Sequence, residues 1–495
     1  MELERIEGYR LSPQQRRLWL LGPRPYVSQC ALLLEGPLGA QALQAALGRL
    51  AARHEALRTR FRLLPGMELP LQVVEEAADF PLRRLDLEGE PEGLLDTLLA
   101  EERAGGFDYG AGPLVRACLA CLGGARHALV LTASALCADA AALRDAALEL
   151  GRHYAACAAG EGAEAAEVVQ YVQYAEWQHE LLGPGAEEAE GRRYWEQRPA
   201  PAPPALPLEA GGGGADYRTE ATRAGDEEEA GRSAAELAAR GGVAEAAALL
   251  ACWQTLLRRL SGANSFTVEA ALDGRKYEEM QGAVGVYAKW LPLHCRVEAE
   301  TPFAEVLAEA EESLNAAYAR HEYYDPADPR AAAGDAHAVG FDYLDARGAR
   351  QFADLKVNDF RLYSRAERHK LRLTCLRTDA GLRLELHYDP AVYGRETAER
   401  MAASYLTLVR AAAARTREHV GRLPVLGEKE RRQLIEEWND TGRDYPRGRT
   451  VHALFAEQAG RAPDAEAVAC EGERLTYRRL DERSNQLARH LRSLG

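Results

Sequence analysis

Apolar residues recur at three- and four-residue steps over 39–52 (GAQALQAALGRLAA), 92–104 and 141–158, which predicts helices with one buried face. Between them lie short apolar runs at 28–35 (SQCALLLE), 114–122 (LVRACLACL) and 127–133 (HALVLTA), read as strands. Helix alternating with strand over the first 180 residues predicts an α/β layer. Residues 196–225 interrupt it with closely spaced prolines and then four consecutive glycines, a composition that builds no core and reads as a linker or surface crossover. The pattern then restarts: a helix at 243–260, a strand at 265–272, a helix at 302–320, strands at 338–343, 369–377 and 381–388, and a helix at 395–415. The last stretch, 426–495, opens with a polar connector and then gives helix, hairpin and helix. The division that follows is 1–180, a crossover at 181–225, a second lobe at 226–428, a linker at 429–448 and a short α/β fragment at 449–495.

Composition narrows the functional class. The 495 residues are 47% hydrophobic and 28% charged, with 61 basic against 76 acidic side chains and a net charge of −15. Such a chain repels a phosphate backbone, and its Lys and Arg form no stripe, so nucleic acid is not an expected partner. No apolar run reaches the roughly 18 residues of a membrane span. The start, MELERIEGYRLSPQQ, is too polar for a secretory signal, so the expectation is a cytoplasmic protein. The nine cysteines are odd in number and scattered, unlike a disulfide framework. Cys118 and Cys121 form a CxxC within a predicted strand, where positions three apart face opposite ways; neither metal nor redox chemistry is expected there. Phosphate-loop, dinucleotide, zinc-protease and nucleophile-elbow patterns are absent. Leu122-Gly123-Gly124 begins like a phosphopantetheine attachment loop, but Arg126 stands where the modified serine belongs.

Several motifs carry a family resemblance. LSPQQRRLWLL (11–21) has Ser12, Gln15, Arg17, Leu18 and Trp19 in place; RHEALRTRF (53–61) matches throughout; FDYGAGPLVRACL (107–119), QYVQYAEWQ (170–178), Tyr194-Trp195 and VGVYAKWLPLH (284–294) follow. Together they resemble the condensation domains of nonribosomal peptide synthetases over about residues 10–430. The resemblance implies two chloramphenicol-acetyltransferase-like lobes in a V, with a tunnel for the phosphopantetheine arms of peptidyl and aminoacyl carrier proteins. No covalently bound cofactor and no metal are implied. WNDTGRDYP (438–446) and the segments after it resemble the start of an adenylation domain. That domain's phosphate loop and amino-acid pocket lie further on, so no amino-acid activation is expected. The chain begins on Met1 and stops on Leu494-Gly495, which suggests a domain heading a polypeptide, served by a donor in trans, with its adenylation domain cut short.

The family's H-H-x-x-x-D-G motif falls on Ser134, Ala135, Asp139 and Ala140. The second histidine, which accepts or orients the amine proton in the family, is thus alanine, and alanine can do neither. His127 lies eight positions before Ala135, about 26 Å along an extended strand, too far to substitute. Ser134 lacks a local base. Cys137, at the helix start, is expected to be a small apolar side chain more than a nucleophile. Asp139 matches an aspartate that pairs with an arginine of the second lobe, here Arg275. Ala140 replaces a glycine, which would allow close approach and positive φ. Cys137, Lys289 and Trp290 are candidates to line the tunnel, the last two replacing an Asn-Thr pair. His54 and Arg58 are expected to brace the first lobe, and Trp177, Trp195 and Trp253 to anchor packing.

Three functions remain. In the first, a condensation-type domain with a lost catalytic motif serves as a scaffold that docks carrier proteins, holds the adenylation domain or recruits a tailoring enzyme. In the second, an atypical domain still forms amide or ester bonds by positioning alone. The third is a free-standing acyltransferase using coenzyme A, against which the appended adenylation segment argues.

Overall fold

The computed structural model describes residues 7–22, 26–77, 80–87, 91–162, 167–183, 189–198, 202–207, 209, 217–328, 338–348 and 351–495. The glycine run at 211–214 and most of the acidic stretch 161–167 lie outside them. The chain forms two compact units, Met1–Gly427 and Glu428–Gly495.

The first unit is α/β, as the alternating pattern predicted, and holds two six-stranded mixed sheets. In chain order the strands of the first half are β1 (Val27–Glu35), a β2–β3 hairpin (Thr59–Arg62, Leu71–Val74), β4 (Leu82–Asp86), β5 (Val115–Cys121) and β6 (Arg126–Ser134). Those of the second half are β7 (Glu220–Arg223), β8 (Ser265–Leu272), β9 (Lys289–Arg296), β10 (Ala338–Asp345), β11 (Gln351–Phe352), β12 (Leu355–Ser364), β13 (His369–Thr378) and β14 (Gly381–Tyr388). The sheet orders are β11-β12-β1-β6-β5-β4 and β7-β14-β13-β10-β8-β9. The first sheet therefore takes two strands from the second half. After β10 the chain crosses to pair β12 antiparallel with β1, then returns to lay β13 parallel to β10, an exchange absent from the sequence division at 180 and 226.

The helices sort by their apolar faces. In the first lobe these are α1 (Pro13–Leu20), α2 (Ala40–Arg53), α3 (Pro91–Ala104), α4 (Ala140–Ala159) and α5 (Tyr171–Leu182). Leu43, Leu47 and Leu50 of α2 join Leu143, Ala146 and Leu150 of α4 in one core against β1 and β6. Leu95, Leu98 and Leu99 of α3 cover the opposite face. With helices on both sides, β6 is buried along most of its length, which is why it reads as a continuous apolar run. His54 and Arg58 brace this lobe: His54 Nε2 lies 2.9 Å from the buried Glu149 of α4, and the Arg58 guanidinium donates to the Glu75 carbonyl.

After α6 (Ala189–Glu196), the second lobe packs α7 (Glu227–Gly241), α8 (Glu245–Ser261), α9 (Phe303–Arg320) and α10 (Arg395–Ala414) around Trp253, which is wholly buried. The breaker-rich crossover is tied at its far end by β7, which pairs with β14. The second unit holds α11 (Glu428–Arg432), α12 (Val451–Arg461), a β15–β16 hairpin (Glu466–Cys470, Glu473–Thr476) and α13 (Tyr477–Ser493). It buries no residue. Among the described residues no helix is long and apolar enough to cross a membrane.

Candidate active site between the two lobes

The β6–α4 junction carries the four motif positions. Ser134 ends β6 and Ala135 follows it, its N–H donating to the Tyr26 carbonyl at 2.9 Å. Asp139 is the N-cap of α4 and accepts from the Ala142 N–H at 2.7 Å, filling one of the helix's orphan donors. Its other oxygen accepts from the N–H groups of Tyr287 and Ala288 at 2.8 and 2.9 Å. Arg275 reaches both oxygens, at 3.3 and 3.4 Å, and spends its remaining donors on Asp273 Oδ1 and the Ala283 carbonyl. Both partners are buried, Asp139 6% and Arg275 3% exposed. Burial opposes the guanidinium charge, but Asp139 and Asp273 outweigh it and hold its pKa above the ordinary value. A carboxylate with five donors has no lone pair left for proton transfer, so this pair ties one lobe to the other.

Three motifs distant in sequence meet at the same place. Ser12 of LSPQQ contacts Tyr171 OH at 2.7 Å, and that hydroxyl donates to the Val286 carbonyl at 2.9 Å. Gln15 Nε2 donates to the Leu136 carbonyl at 2.9 Å. The rings of Tyr171, Tyr174 and Tyr287 pack together. A Cβ on Gly285 would lie 2.2 Å from the Tyr171 ring, so glycine is what lets the 284–288 segment reach Asp139, to which the Gly285 carbonyl also binds through the Asp139 N–H at 3.0 Å.

A cavity of about 250 Å³ opens between the lobes at this junction. Ala135, Asp139, Ala140 and Trp290 line it, with Asp342 and Tyr343 of β10 on the opposite wall. Two other expected tunnel residues lie elsewhere. Cys137 belongs to the first-lobe core, and burial drives its thiol pKa far up, leaving no thiolate for attack. Lys289 is buried, and its Nζ donates towards Gln178 Oε1 and the carbonyls of His321, Glu322 and Tyr324 at 2.8–3.2 Å. Burial pushes this amine down to about 7, against the pull of Asp325 and Glu322. Trp290 does face the cavity, and its ring packs on His369 with centroids 4.4 Å apart. Ala140 opens α4 with right-handed backbone, so positive φ is not required and its methyl group simply occupies cavity wall. His127 sits at the start of β6, far from Ala135. Among the described residues no cluster of His, Cys, Asp and Glu could hold a metal.

The condensation-domain family model matches residues 6–435. The chain belongs to the condensation-domain family. An AMP-binding enzyme model matches residues 455–495, so the condensation domain is followed by the start of an AMP-binding domain. Among curated relatives, Tyrocidine synthase 3 of Brevibacillus parabrevis is 30% identical over 511 residues, 99% of this chain and 8% of that protein. Chondramide synthase cmdD of Chondromyces crocatus is 30% identical over 98% of this chain and 13% of its own length. The chain thus spans only a small part of these relatives. In structure it is similar to the first condensation domain of the CDA synthetase (TM-score 0.73, 21% identity, covering 85% of this chain and 99% of that one). It is also similar to the X-domain from teicoplanin biosynthesis (TM-score 0.71, 23% identity, covering 86% and 99%). The chloramphenicol-acetyltransferase-like α/β fold expected from the motifs is the fold of this condensation domain.

One residue of the site had no signal in the sequence. Asp342 is a single acidic residue in a predicted strand, and only the pairing of β10 brings it to the cavity.

Proposed function

We propose that this condensation domain does not form peptide bonds and serves in a cytoplasmic peptide synthetase as a docking platform. Its partners in this reading are carrier proteins bearing phosphopantetheine arms, the adjoining adenylation domain, and a tailoring enzyme. One observation carries the reading: none of the motif positions at the β6–α4 junction offers a free proton acceptor. Ser134 and Ala135 stand at the histidine positions of the motif, Asp139 is saturated by five donors, and Cys137 is buried in the core. An amine becoming an amide must lose a proton, and loss of the general base costs about 10²–10⁴-fold in rate. A neighbour in structure supports recruitment as a use for the fold: an X-domain from teicoplanin biosynthesis has been solved in complex with OxyB (TM-score 0.69, 22% identity).

The cavity favours a second reading, in which positioning alone supports slow amide or ester formation. A single-turnover assay separates the two, with donor and acceptor thioesters on carrier proteins and mass spectrometry following the acyl chain. The platform reading expects no transfer above the no-protein background while both carriers bind. Transfer by the native domain that disappears in Asp139→Asn overturns it. Ala135→His, run alongside, shows whether an imidazole at this position restores transfer.

A further inference from the structure

Only five of the chain's 61 Lys and Arg side chains are lysines, and they differ in what meets their charge. Lys276 pairs with Glu322 at 3.0 Å, Lys356 with Glu35 at 3.7 Å and Lys370 with Glu209 at 2.5 Å. Lys429 is exposed. Lys289 is 1% exposed, and no carboxylate among the described residues pairs with it. Its contacts are four uncharged oxygens, those of the Gln178 side chain and of the His321, Glu322 and Tyr324 carbonyls.

This cage straddles the two lobes. Gln178 is wholly buried on α5, which packs into the first-lobe core through Tyr171 and Tyr174. The three carbonyls follow α9 in the second lobe, where Tyr324 joins the core. Lys289 opens β9 directly after the Tyr287 and Ala288 N–H groups that clamp Asp139. An ammonium has three N–H groups for these four oxygens, a neutral amine only two. A buried cation met by neutral dipoles lacks the compensation of an ion pair, so burial favours the amine without its proton. Burial accordingly outweighs Asp325 and Glu322, and the cage holds the proton only up to about pH 7.

The groups around the cage leave this balance to Lys289. The Glu322 carboxylate is taken up by Lys276, and Asp325 Oδ1 accepts the Ala327 N–H at 2.9 Å. His321 donates from Nδ1 to the Tyr318 carbonyl at 2.7 Å; burial, then Lys289 and Lys276, hold its pKa below the ordinary value. The α5 helix presents Gln178 and the Tyr174 phenol, whose pKa burial raises, so neither is charged. Beyond Tyr324, Glu367 is paired with Arg17 and Glu269 with His369.

We propose that Lys289 is a proton-operated catch between the lobes: seating its amine in the cage expels a proton to solvent, and acidification unseats it, freeing α5 from the end of α9. An unseated, solvated lysine keeps its proton up to the ordinary value of 10.5. Closure therefore releases a proton between about pH 7 and 10.5. It is favoured at the upper end of that window, weakens as the pH falls through it, and is level below it. The catch needs no substrate, so it operates whether or not the domain condenses.

The test uses the full chain with 13C-labelled lysine, and hydrogen exchange read by mass spectrometry, both from pH 6 to 9. One lysine Cε resonance, absent from Lys289→Met and shifted in Gln178→Leu, is expected to titrate near neutrality. For peptides covering α5 and residues 321–324, the opening constant is expected to rise about tenfold as pH falls from 9 to 8 and to level off below 7, after correction for intrinsic exchange rates. In Lys289→Met that dependence is expected to vanish. Gln178→Leu keeps the lysine and removes the first lobe's oxygen, and is expected to raise the α5 opening constant at pH 9 about two- to tenfold; it reports on the catch should Lys289→Met fail to fold. The proposal is overturned by a Lys289 side chain that stays charged up to pH 9, or by α5 exchange whose pH dependence survives in Lys289→Met. Unchanged α5 exchange in Gln178→Leu equally overturns it.

Discussion

Asp139 and Asp342 face one cavity from opposite lobes, and the chain treats them oppositely. Asp139 caps a helix, receives two backbone N–H groups from the second lobe and meets a buried arginine. Asp342 sits mid-strand, where the backbone donors are committed to the sheet, and receives no hydrogen bond or ion pair from any described residue. The same carboxyl group is a rivet on one wall and an open end on the other. Helix starts and loops present unpaired N–H groups to a side chain, whereas the ladder of a sheet consumes them. Burial alone therefore says little about the role of an ionisable group; the number of donors reaching it says more.

This contrast can be broken by mutation. The largest effect is expected for Arg275→Ala, which leaves Asp139 buried without its cation: a loss of about 3–5 kcal/mol in urea unfolding. A loss below about 1 kcal/mol would show that the pair does not fasten the lobes. Lys289→Met comes next. It strips the shared donor from three carbonyls and the Gln178 amide oxygen, and about 1–3 kcal/mol of destabilisation is expected by the same measurement.

An effect of opposite sign is expected for Asp342→Asn. Burial lifts the Asp342 carboxyl from 3.8 to about 6, against the pull of Arg372 and His369. An acid raised in the folded state contributes stability below its unfolded pKa, and that contribution is lost as pH rises through the folded value. An asparagine does not ionise, so the variant is expected to gain about 3 kcal/mol at pH 7.5 and to approach the native protein near pH 4. Parallel unfolding curves at the two pH values check this. A loss of stability at pH 7.5 would mean that the native carboxylate is already satisfied.

Much of this arrangement was legible beforehand because it follows local rules. The helices over 39–52 and 141–158 emerge as α2 and α4, since one-sided apolar spacing leaves a helix little alternative. The Asp139–Arg275 pair was readable from motif resemblance, although its partners lie 136 positions apart. The strand exchange was not. LKVNDFRLYS alternates like any half-buried strand, and nothing in that period says which of two sheets it joins. Lys289 misled for a related reason: a cation beside a predicted tunnel suggests a lining residue, but its long stem carries the ammonium to the carbonyls of 321–324, whose position depends on how α9 ends.

The amino-acid sequence by itself determined the α/β class, the two lobes, the family motifs and the loss of imidazole at Ala135, because propensity, periodicity and side-chain chemistry are properties of the chain. Which sheet β12 joins, where Lys289 spends its charge, and which aspartate lacks donors were decided only in the folded molecule. Satisfaction of a buried polar group depends on the groups brought within about 3 Å of it, and the cations whose field Asp342 feels, Arg372 and His369, arrive from β13.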